Sequence, residues 1–204
     1  DSLWYNFSLK NNTCDLVFDR KEIVIPAGME LVRASLSSSQ KFLTMELRPY
    51  QEKINKDKKE EEIKPDKSFE LELWTWDEYE VPTLQTRSRY SHPQYSKYIY
   101  DITSQKLTEV APGHADLLEP DRAEEIHYVL YTDETPYRMQ KEWLDKVPFD
   151  IYAVNVHSGE KKLVGRSYRS TPKWSVNGKW AVMYDPIAKN WNKFDGNTGR
   201  VTDI

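Results

Sequence analysis

Short segments in which apolar and polar residues alternate recur along the chain, and a turn of small polar residues follows each of them. Three segments share one form, a strand, a turn and a second strand, at residues 98–110, 151–164 and 191–204. Alternation with a period of two predicts strands with one buried face, and Gly, Asn and Ser are frequent in tight hairpin turns. The pattern therefore predicts three β-hairpins, and a weaker copy is predicted at residues 5–12.

The three hairpins align on the residue that precedes each turn. These residues are Asp101, Asn155 and Asp195, which are 54 and 40 residues apart. A second unit, a polar turn followed by Lys and an aromatic residue, precedes the predicted strands at 43–47 and 181–185.

A degenerate copy of the second unit is predicted at Ile126-His127-Tyr128, ahead of a strand at 129–133. The 138 residues from Phe42 to Trp180 correspond to three periods of 46.

Recurring strands and turns with a period of about 40–50 residues are typical of the blades of a β-propeller, each a four-stranded sheet. One such sheet cannot bury both of its faces alone, whereas stacked sheets can. The predicted fold is all-β, a partial β-propeller of roughly three to four four-stranded blades. An ordinary β-sandwich is the alternative, but it does not account for two motifs that recur in the same order.

The whole chain, 1–204, is predicted to be one propeller region with a charged insertion at 51–68. After the insertion, the alternating segment 69–81 predicts a strand. A short helix is predicted within 138–148, ending before Pro148, because the residue before a proline disfavours helix.

Composition excludes several classes of protein. The net charge of −4 argues against a nucleic-acid binder, which usually carries a basic stripe. Cys14 is the single cysteine, so an internal disulfide and a multi-cysteine zinc site are excluded, and we expect a small buried side chain there. No apolar stretch approaches the ~18–20 residues that a membrane-spanning helix needs.

Catalytic motifs are missing from the sequence. The nearest approach to Gly-x-Ser-x-Gly is Gly165-Arg166-Ser167-Tyr168-Arg169, which lacks the second glycine and is interpreted as a loop. The histidines do not form a zinc-binding pair, and His157 is predicted to face solvent in a hairpin turn; the four are His92, His114, His127 and His157. No Gly-rich phosphate loop or calcium loop is present, so we expect no catalytic residue, metal or cofactor in the chain.

Tryptophan is frequent, with 7 residues in the chain. Trp74 and Trp76 share one strand face, while Trp174, Trp180 and Trp191 fall within one predicted blade. Packing between blades is the favoured role for these rings, and stacking on a sugar or peptide is the alternative.

Several segments match, in order, motifs of one family. Residues 131–143 contain Thr-Asp, Pro-Tyr-Arg and a following Trp, and 149–164 form a strand-and-turn hairpin with Gly and Lys. Residues 170–204 contain Pro-x-Trp-Ser-x-x-Gly-Lys and a closing Thr-Gly turn, and 71–85 contain Trp-x-Trp. The chain resembles the propeller of bacterial serine peptidases of the prolyl oligopeptidase family, especially the long-propeller type from Bacteroidetes. It departs from the family pattern at Asn177, where Asp is usual.

The resemblance implies a non-catalytic propeller that gates the access of short or unfolded peptides to an α/β-hydrolase domain. That domain follows the propeller in the family and carries the Ser, Asp and His of the triad, so no catalytic residue is carried over to this chain. The implied partners are this hydrolase domain of the parent chain and a peptide substrate, and the implied location is periplasmic or secreted.

An incomplete propeller leaves blade faces exposed. We therefore expect the chain to be part of a longer protein, and a second copy in a homo-oligomer is one way to cover those faces. The alternative function is a non-enzymatic propeller that binds proteins or glycans, supported by the aromatic content of 13% and the charged insertion. Nothing in the residues supports a complete small enzyme.

Overall fold

A computed structural model describes residues 4–8, 13–18, 21–37, 39–50, 95–120, 123, 125–141 and 143–204. In this described part, the chain forms four antiparallel sheets, here called sheets I to IV in chain order. Sheet I contains β1 (Trp4–Ser8), β2 (Thr13–Phe18) and β3 (Lys21–Ile23). Sheet II contains β4 (Met29–Leu36), β5 (Phe42–Pro49), β6 (Ser96–Asp101) and β7 (Lys106–Ala111).

Sheet III contains β8 (Asp116–Leu118), β9 (Tyr128–Asp133), β10 (Phe149–Asn155) and β11 (Lys161–Tyr168). Sheet IV contains β12 (Lys173–Trp174), β13 (Trp180–Asp185), β14 (Asn190–Asp195) and β15 (Val201–Asp203). In every sheet each strand pairs with its neighbour in the sequence, which is the strand order of a propeller blade. The prediction of an all-β partial propeller is therefore confirmed.

The three predicted hairpins belong to three different sheets and share one turn. In each, a side-chain oxygen accepts hydrogen bonds from the backbone N–H groups two and three residues later. The distances are 2.9 and 3.4 Å at Asp101, 2.9 and 2.9 Å at Asn155, and 2.9 and 2.9 Å at Asp195. Asp and Asn are favoured here because their short side chains reach the backbone just ahead of them.

The second repeated unit also has one geometry. The hydroxyls of Ser37 and Ser175 each accept a hydrogen bond of 3.2 Å from the backbone N–H five residues later. The tight turn requires a positive φ, which is 57° at Gln40 and 69° at Gly178. Gln40 in sheet II therefore adopts the same left-handed backbone conformation as Gly178 in sheet IV.

One backbone hydrogen bond joins the two units in all three four-stranded sheets. The residue after each hairpin Asp or Asn donates to the carbonyl just before the second strand, at 3.0 Å to Lys41, 2.9 Å to His127 and 2.8 Å to Lys179. The degenerate copy at 126–128 is thus the equivalent of the other two. The prediction that Phe42 and Trp180 lie three repeats apart is wrong. They lie only two sheets apart, because the connection 50–95 lengthens one repeat.

Three apolar clusters lie between successive sheets, and alternate side chains of one strand enter different clusters. In β9, Val129 and Tyr131 pack toward sheet II, whereas Leu130 packs toward sheet IV. In β5, Phe42 packs toward sheet III, whereas Leu43 packs toward sheet I. Complete burial of one such side chain contributes about 1.5–3 kcal/mol, so these layers hold the stack together.

The remaining face of sheet IV is uncovered among the residues that the structure describes. Trp180 and Trp191 lie on this face and are 41% and 52% exposed, and the Trp191 ring lies 5.4 Å from that of Tyr184. Trp174 lies on the opposite side, where its Nε1 donates to the Leu118 carbonyl at 2.9 Å. The predicted packing of tryptophan between blades therefore holds for Trp174, and the covering of the other face by a second copy stays a prediction.

Two local predictions need correction. The helix predicted within 138–148 is a 3₁₀ helix at Thr135–Gln140, where Pro136 presets the backbone of its first turn. The segment 165–169 is not a loop, because all but its last residue belong to β11.

Other predictions fall outside the described residues. These are the insertion 51–68, the strand 69–81, Trp74, Trp76 and His92, together with the side chain of Cys14 and the turn between β1 and β2. Among the described residues, no helix is long and apolar enough to cross a membrane.

Candidate functional site

The interface between sheets II and III differs from the interface between sheets III and IV at equivalent positions. Leu130 and Ile151 lie in the interface between sheets III and IV and are 0% exposed. Counted from the shared turns, their equivalents in sheet II are Thr44 and Lys97. Polar side chains in sheet II therefore occupy positions whose equivalents in sheet III hold buried apolar side chains.

Lys97 belongs to a row of charged residues that crosses three strands. Arg33 of β4 pairs with Glu46 of β5, and Glu46 pairs with Lys97 of β6. Directly paired residues of antiparallel strands share one face of the sheet. The row thus places the Glu46 carboxylate between the cations of Arg33 and Lys97, on the face of sheet II that packs toward sheet III.

The row borders a cleft of about 230 Å³. Ser35 and Thr44 extend its wall on sheet II, while Leu117 of β8 and Glu119, which follows β8, line the opposite side. The Thr44 hydroxyl donates to Glu119 Oε2 at 3.0 Å, and Lys97 Nζ donates to the Ala115 carbonyl at 3.2 Å. These two contacts join β5 and β6 of sheet II to the residues just after and just before β8.

Two charged groups of the cleft are unpaired within the described part of the chain. Neither the Arg33 guanidinium nor the Glu46 carboxylate has a hydrogen-bond or ion-pair partner there. Arg33 is exposed and Glu46 is half-buried. The cleft therefore offers one cation and one anion to a ligand, with Leu117 as an apolar contact.

The residues that line the cleft supply hydroxyl, charged and apolar groups. The cleft contains two hydroxyls, Ser35 and Thr44, but no histidine among its lining residues. Among the described residues, no group of three or more His, Cys, Asp or Glu side chains is arranged to hold a metal ion.

Two histidines that are far apart in the sequence, His127 and His157, lie close together in the structure. The rings of His127 and His157 lie 5.4 Å apart, and His157 Nδ1 lies 3.4 Å from Asp101 Oδ2 of sheet II. The His157 side chain is 45% exposed, so it does reach solvent, but it also bridges two sheets. His114 lies elsewhere, with Nε2 3.5 Å from Asp133 Oδ1.

The Asp101 carboxyl has a shifted pKa because of its surroundings. Burial alone would raise its pKa, but hydrogen bonds from Ser104 and from the backbone of Thr103 favour the charged form, as does nearby His157. The pKa of Asp101 consequently lies below its ordinary value. These contacts stabilise a hairpin turn and the sheet contact beside it.

The backbone of Ser167 takes part in a local hydrogen-bond network. Its backbone N–H donates to Asp150 Oδ1 at 3.1 Å, and the same oxygen accepts a hydrogen bond of 2.6 Å from the Tyr137 hydroxyl. The segment around Ser167 therefore serves the local packing of β10 and β11.

Sequence reasoning missed the row of Arg33, Glu46 and Lys97. Each of these residues is unremarkable alone, since charged residues are common on strand faces. The available signal was the alignment of the repeats, in which Thr44 and Lys97 stand where Leu130 and Ile151 stand in the next sheet.

No family model matches the chain, and no curated protein matches it. Among solved structures, TolB from Acinetobacter baumannii matches with a TM-score of 0.33 at 13% identity, over 98% of this chain and 39% of TolB. A structure from a study of two prolyl endopeptidases and the role of their inter-domain dynamics in catalysis and specificity matches with a TM-score of 0.40 at 9% identity. That match covers 98% of this chain and 27% of the endopeptidase. The chain therefore spans well under half the length of either protein.

Proposed function

We propose that this chain is the non-catalytic propeller part of a serine peptidase of the prolyl oligopeptidase type, where it gates the access of peptides to a hydrolase domain. The observation that carries the proposal is the order of the two turn units in three successive sheets. The same order, with Pro-x-Trp-Ser-x-x-Gly-Lys ahead of the Thr-Gly hairpin, is the pattern by which 170–204 resembles that family. The cleft between sheets II and III adds a binding surface of a size suited to short ligands.

The proposal has further parts. Residues 1–204 form one propeller region, whose partner is an α/β-hydrolase domain of the same parent chain. The substrate is a peptide, and the protein acts in the periplasm or outside the cell.

The direct test is to determine the coding sequence that follows the codon for Ile204. We expect it to encode Gly-x-Ser-x-Gly, followed by an Asp and a His in the order of α/β-hydrolases. A reading frame that ends or continues without this motif would overturn the proposal.

A functional test uses the complete gene product. We expect it to cleave a short fluorogenic peptide ending in proline and to leave a folded protein substrate intact. Replacement of the motif serine by alanine should abolish cleavage. Cleavage of folded proteins at a comparable rate would contradict a gating role.

A second candidate is a module that binds glycans, and the uncovered face of sheet IV favours it. The exposed rings of Trp180 and Trp191, with Tyr184 beside Trp191, offer flat surfaces of the kind that stack on sugars. The test is a glycan array followed by titration of tryptophan fluorescence with each bound glycan. A saturable change that is lost in Trp191→Ala would support this candidate, and an array without signal would remove it.

A further inference from the structure

The cleft between sheets II and III interrupts an otherwise apolar interface. Packing alone favours apolar residues there, as Leu130 and Ile151 demonstrate at the equivalent positions of sheet III. Placing Thr44 and Lys97 at such positions forgoes the ~1.5–3 kcal/mol that burial of each large apolar side chain contributes. Thr44 and Lys97 make hydrogen bonds across the interface, but those contacts do not account for the charges of Arg33 and Glu46.

A row of cross-strand ion pairs is the structural alternative, since opposite charges on paired strands stabilise a sheet. The observed contacts disagree with it. Lys97 donates to the Ala115 carbonyl of the neighbouring segment, and in the described part of the chain no ion pair joins Arg33 to Glu46. The two charges remain available to a third group.

We propose that this cleft binds a short zwitterionic peptide, whose terminal carboxylate contacts Arg33 and whose terminal ammonium contacts Glu46. A guanidinium binds a carboxylate through two parallel hydrogen bonds, and a carboxylate accepts hydrogen bonds from an ammonium. Arg33 and Glu46, the two cleft charges without a partner in the described part of the chain, are of opposite sign and balance each other. A ligand with one charge of each sign matches that balance, whereas a dianion or dication does not.

Size and lining narrow the ligand further. Sites for drug-sized molecules have volumes of about 300–1,000 Å³, so a cleft of about 230 Å³ suits an amino acid or a dipeptide. Leu117 lines the cleft from sheet III and favours a ligand with an apolar side chain. The choice of a dipeptide over a free amino acid rests on the proposed function, whereas the requirement for both charges rests on the cleft alone.

The test is calorimetric titration of the purified chain with alanyl-leucine, its N-acetyl form, its C-terminal amide, the doubly blocked form and free leucine. We expect saturable binding of the unblocked dipeptide, and at least about tenfold weaker binding when either end is blocked, because each end loses a charge-assisted hydrogen bond. Free leucine should bind more weakly than the dipeptide. Binding of leucine alone would overturn the assignment of a peptide.

Two variants test which cleft residue contacts each end of the peptide. Arg33→Gln should remove the preference for a free carboxylate, and Glu46→Gln should remove the preference for a free amine. Arg169→Gln and Glu160→Gln change the net charge equally at exposed positions outside the cleft and should bind as the parent chain does.

The result that overturns the inference is the absence of saturable binding by a chain whose circular dichroism shows it to be folded, or equal affinity for the doubly blocked peptide. The inference would also be overturned if the cleft variants and the control variants changed the binding affinity equally. Because this test reads binding by the chain itself, a downstream hydrolase domain combined with no binding would sink only this inference. Binding combined with no downstream hydrolase domain would sink only the proposed function.

Discussion

At the residue scale, single side-chain oxygens organise the turns of this protein. Asp101, Asn155 and Asp195 each hold two backbone N–H groups, and the acceptor is a carboxylate in two cases and an amide in one. Asp185 makes the same contacts with the backbone of Ile187 and Ala188, at 2.8 and 3.0 Å. The recurrence explains why the hairpins are recognisable from sequence although the rest of each repeat varies.

Replacement of Asp195 tests this role. Asp195→Ala removes the acceptor of two 2.9 Å hydrogen bonds and should lower the free energy of unfolding by about 0.5–2 kcal/mol. Asp195→Asn should stay close to the parent, since Asn155 fills the same place in sheet III. Urea denaturation measures both, with Asp203→Ala at an exposed position as control. An alanine variant as stable as the control would contradict the role.

The turn carboxylates also predict an effect of pH. Several factors lower the pKa of Asp195, of which the hydrogen bond from the Thr198 backbone is the largest, and the pKa of Asp101 is lowered as well. A group whose pKa is lower in the folded protein stabilises the fold above its unfolded pKa, near 3.9. That stability is lost as the pH falls through the folded pKa.

We therefore expect the urea midpoint to fall as the pH is lowered from about 5 toward 2. Asp101→Asn should flatten this dependence, because an amide accepts the same backbone hydrogen bonds without titrating. Asp203→Asn, which replaces an exposed carboxylate by an amide outside the turns, is the matched control. An unchanged slope in Asp101→Asn would contradict the assignment.

At the scale of elements, the turn between β12 and β13 packs on the segment that precedes β9. A Cβ at Gly178 would lie 2.7 Å from the Ala123 Cβ, and the φ of Gly178 is 69°. Gly28, ahead of β4, has a φ of 79° but nothing within 4 Å of such a Cβ. The two glycines thus share a backbone requirement and differ in their neighbours.

This difference gives a matched pair of variants. Gly28→Ala should cost about 1 kcal/mol of stability, which is the cost of a left-handed conformation for alanine. Gly178→Ala should cost more, since the turn or the neighbouring segment must also move. The thermal midpoints of the two variants measure the difference. Equal losses would show that the contact with Ala123 is not tight in solution.

At the scale of the whole molecule, the sheets hold one another by layers of apolar side chains. Phe194 is completely buried between sheets III and IV, with its ring 6.1 Å from that of Tyr128 and 5.9 Å from that of Trp174. Trp191, on the same strand, faces away from this layer and is half-exposed. The strand therefore has one structural face and one that the described residues leave open.

Variants of the two rings should separate the faces. Phe194→Ala should lower the free energy of unfolding by about 3–5 kcal/mol, because it leaves a cavity in a closed layer. Trp191→Ala should cost less than about 1 kcal/mol. Phe194→Leu provides an intermediate case if the alanine variant does not fold. Denaturant titration measures all three, and a Trp191→Ala loss as large as that of Phe194→Ala would indicate that the open face is covered in solution.

Much of the fold was predictable because its signals are local. The turn at Asn155 and the alternation through 151–164 gave the right hairpin, since both depend on neighbouring residues. The 3₁₀ helix at Thr135–Gln140 begins before the segment 138–148 in which a helix was predicted, because Pro136 presets the backbone of its first turn. The interval from Phe42 to Trp180 was divided wrongly, because an insertion between β5 and β6 has no signature in the spacing alone.

The amino-acid sequence by itself determined the strands, the turns and the repeated blade unit, since each depends on backbone preferences and contacts within a few residues. Only the tertiary structure decided that Arg33, Glu46 and Lys97 form one row beside an open cleft, and that His157 meets Asp101. The row depends on the pairing of strands separated by a long insertion, and the histidine contact depends on the stacking of separate sheets. Neither kind of contact leaves a trace in the local pattern of residues.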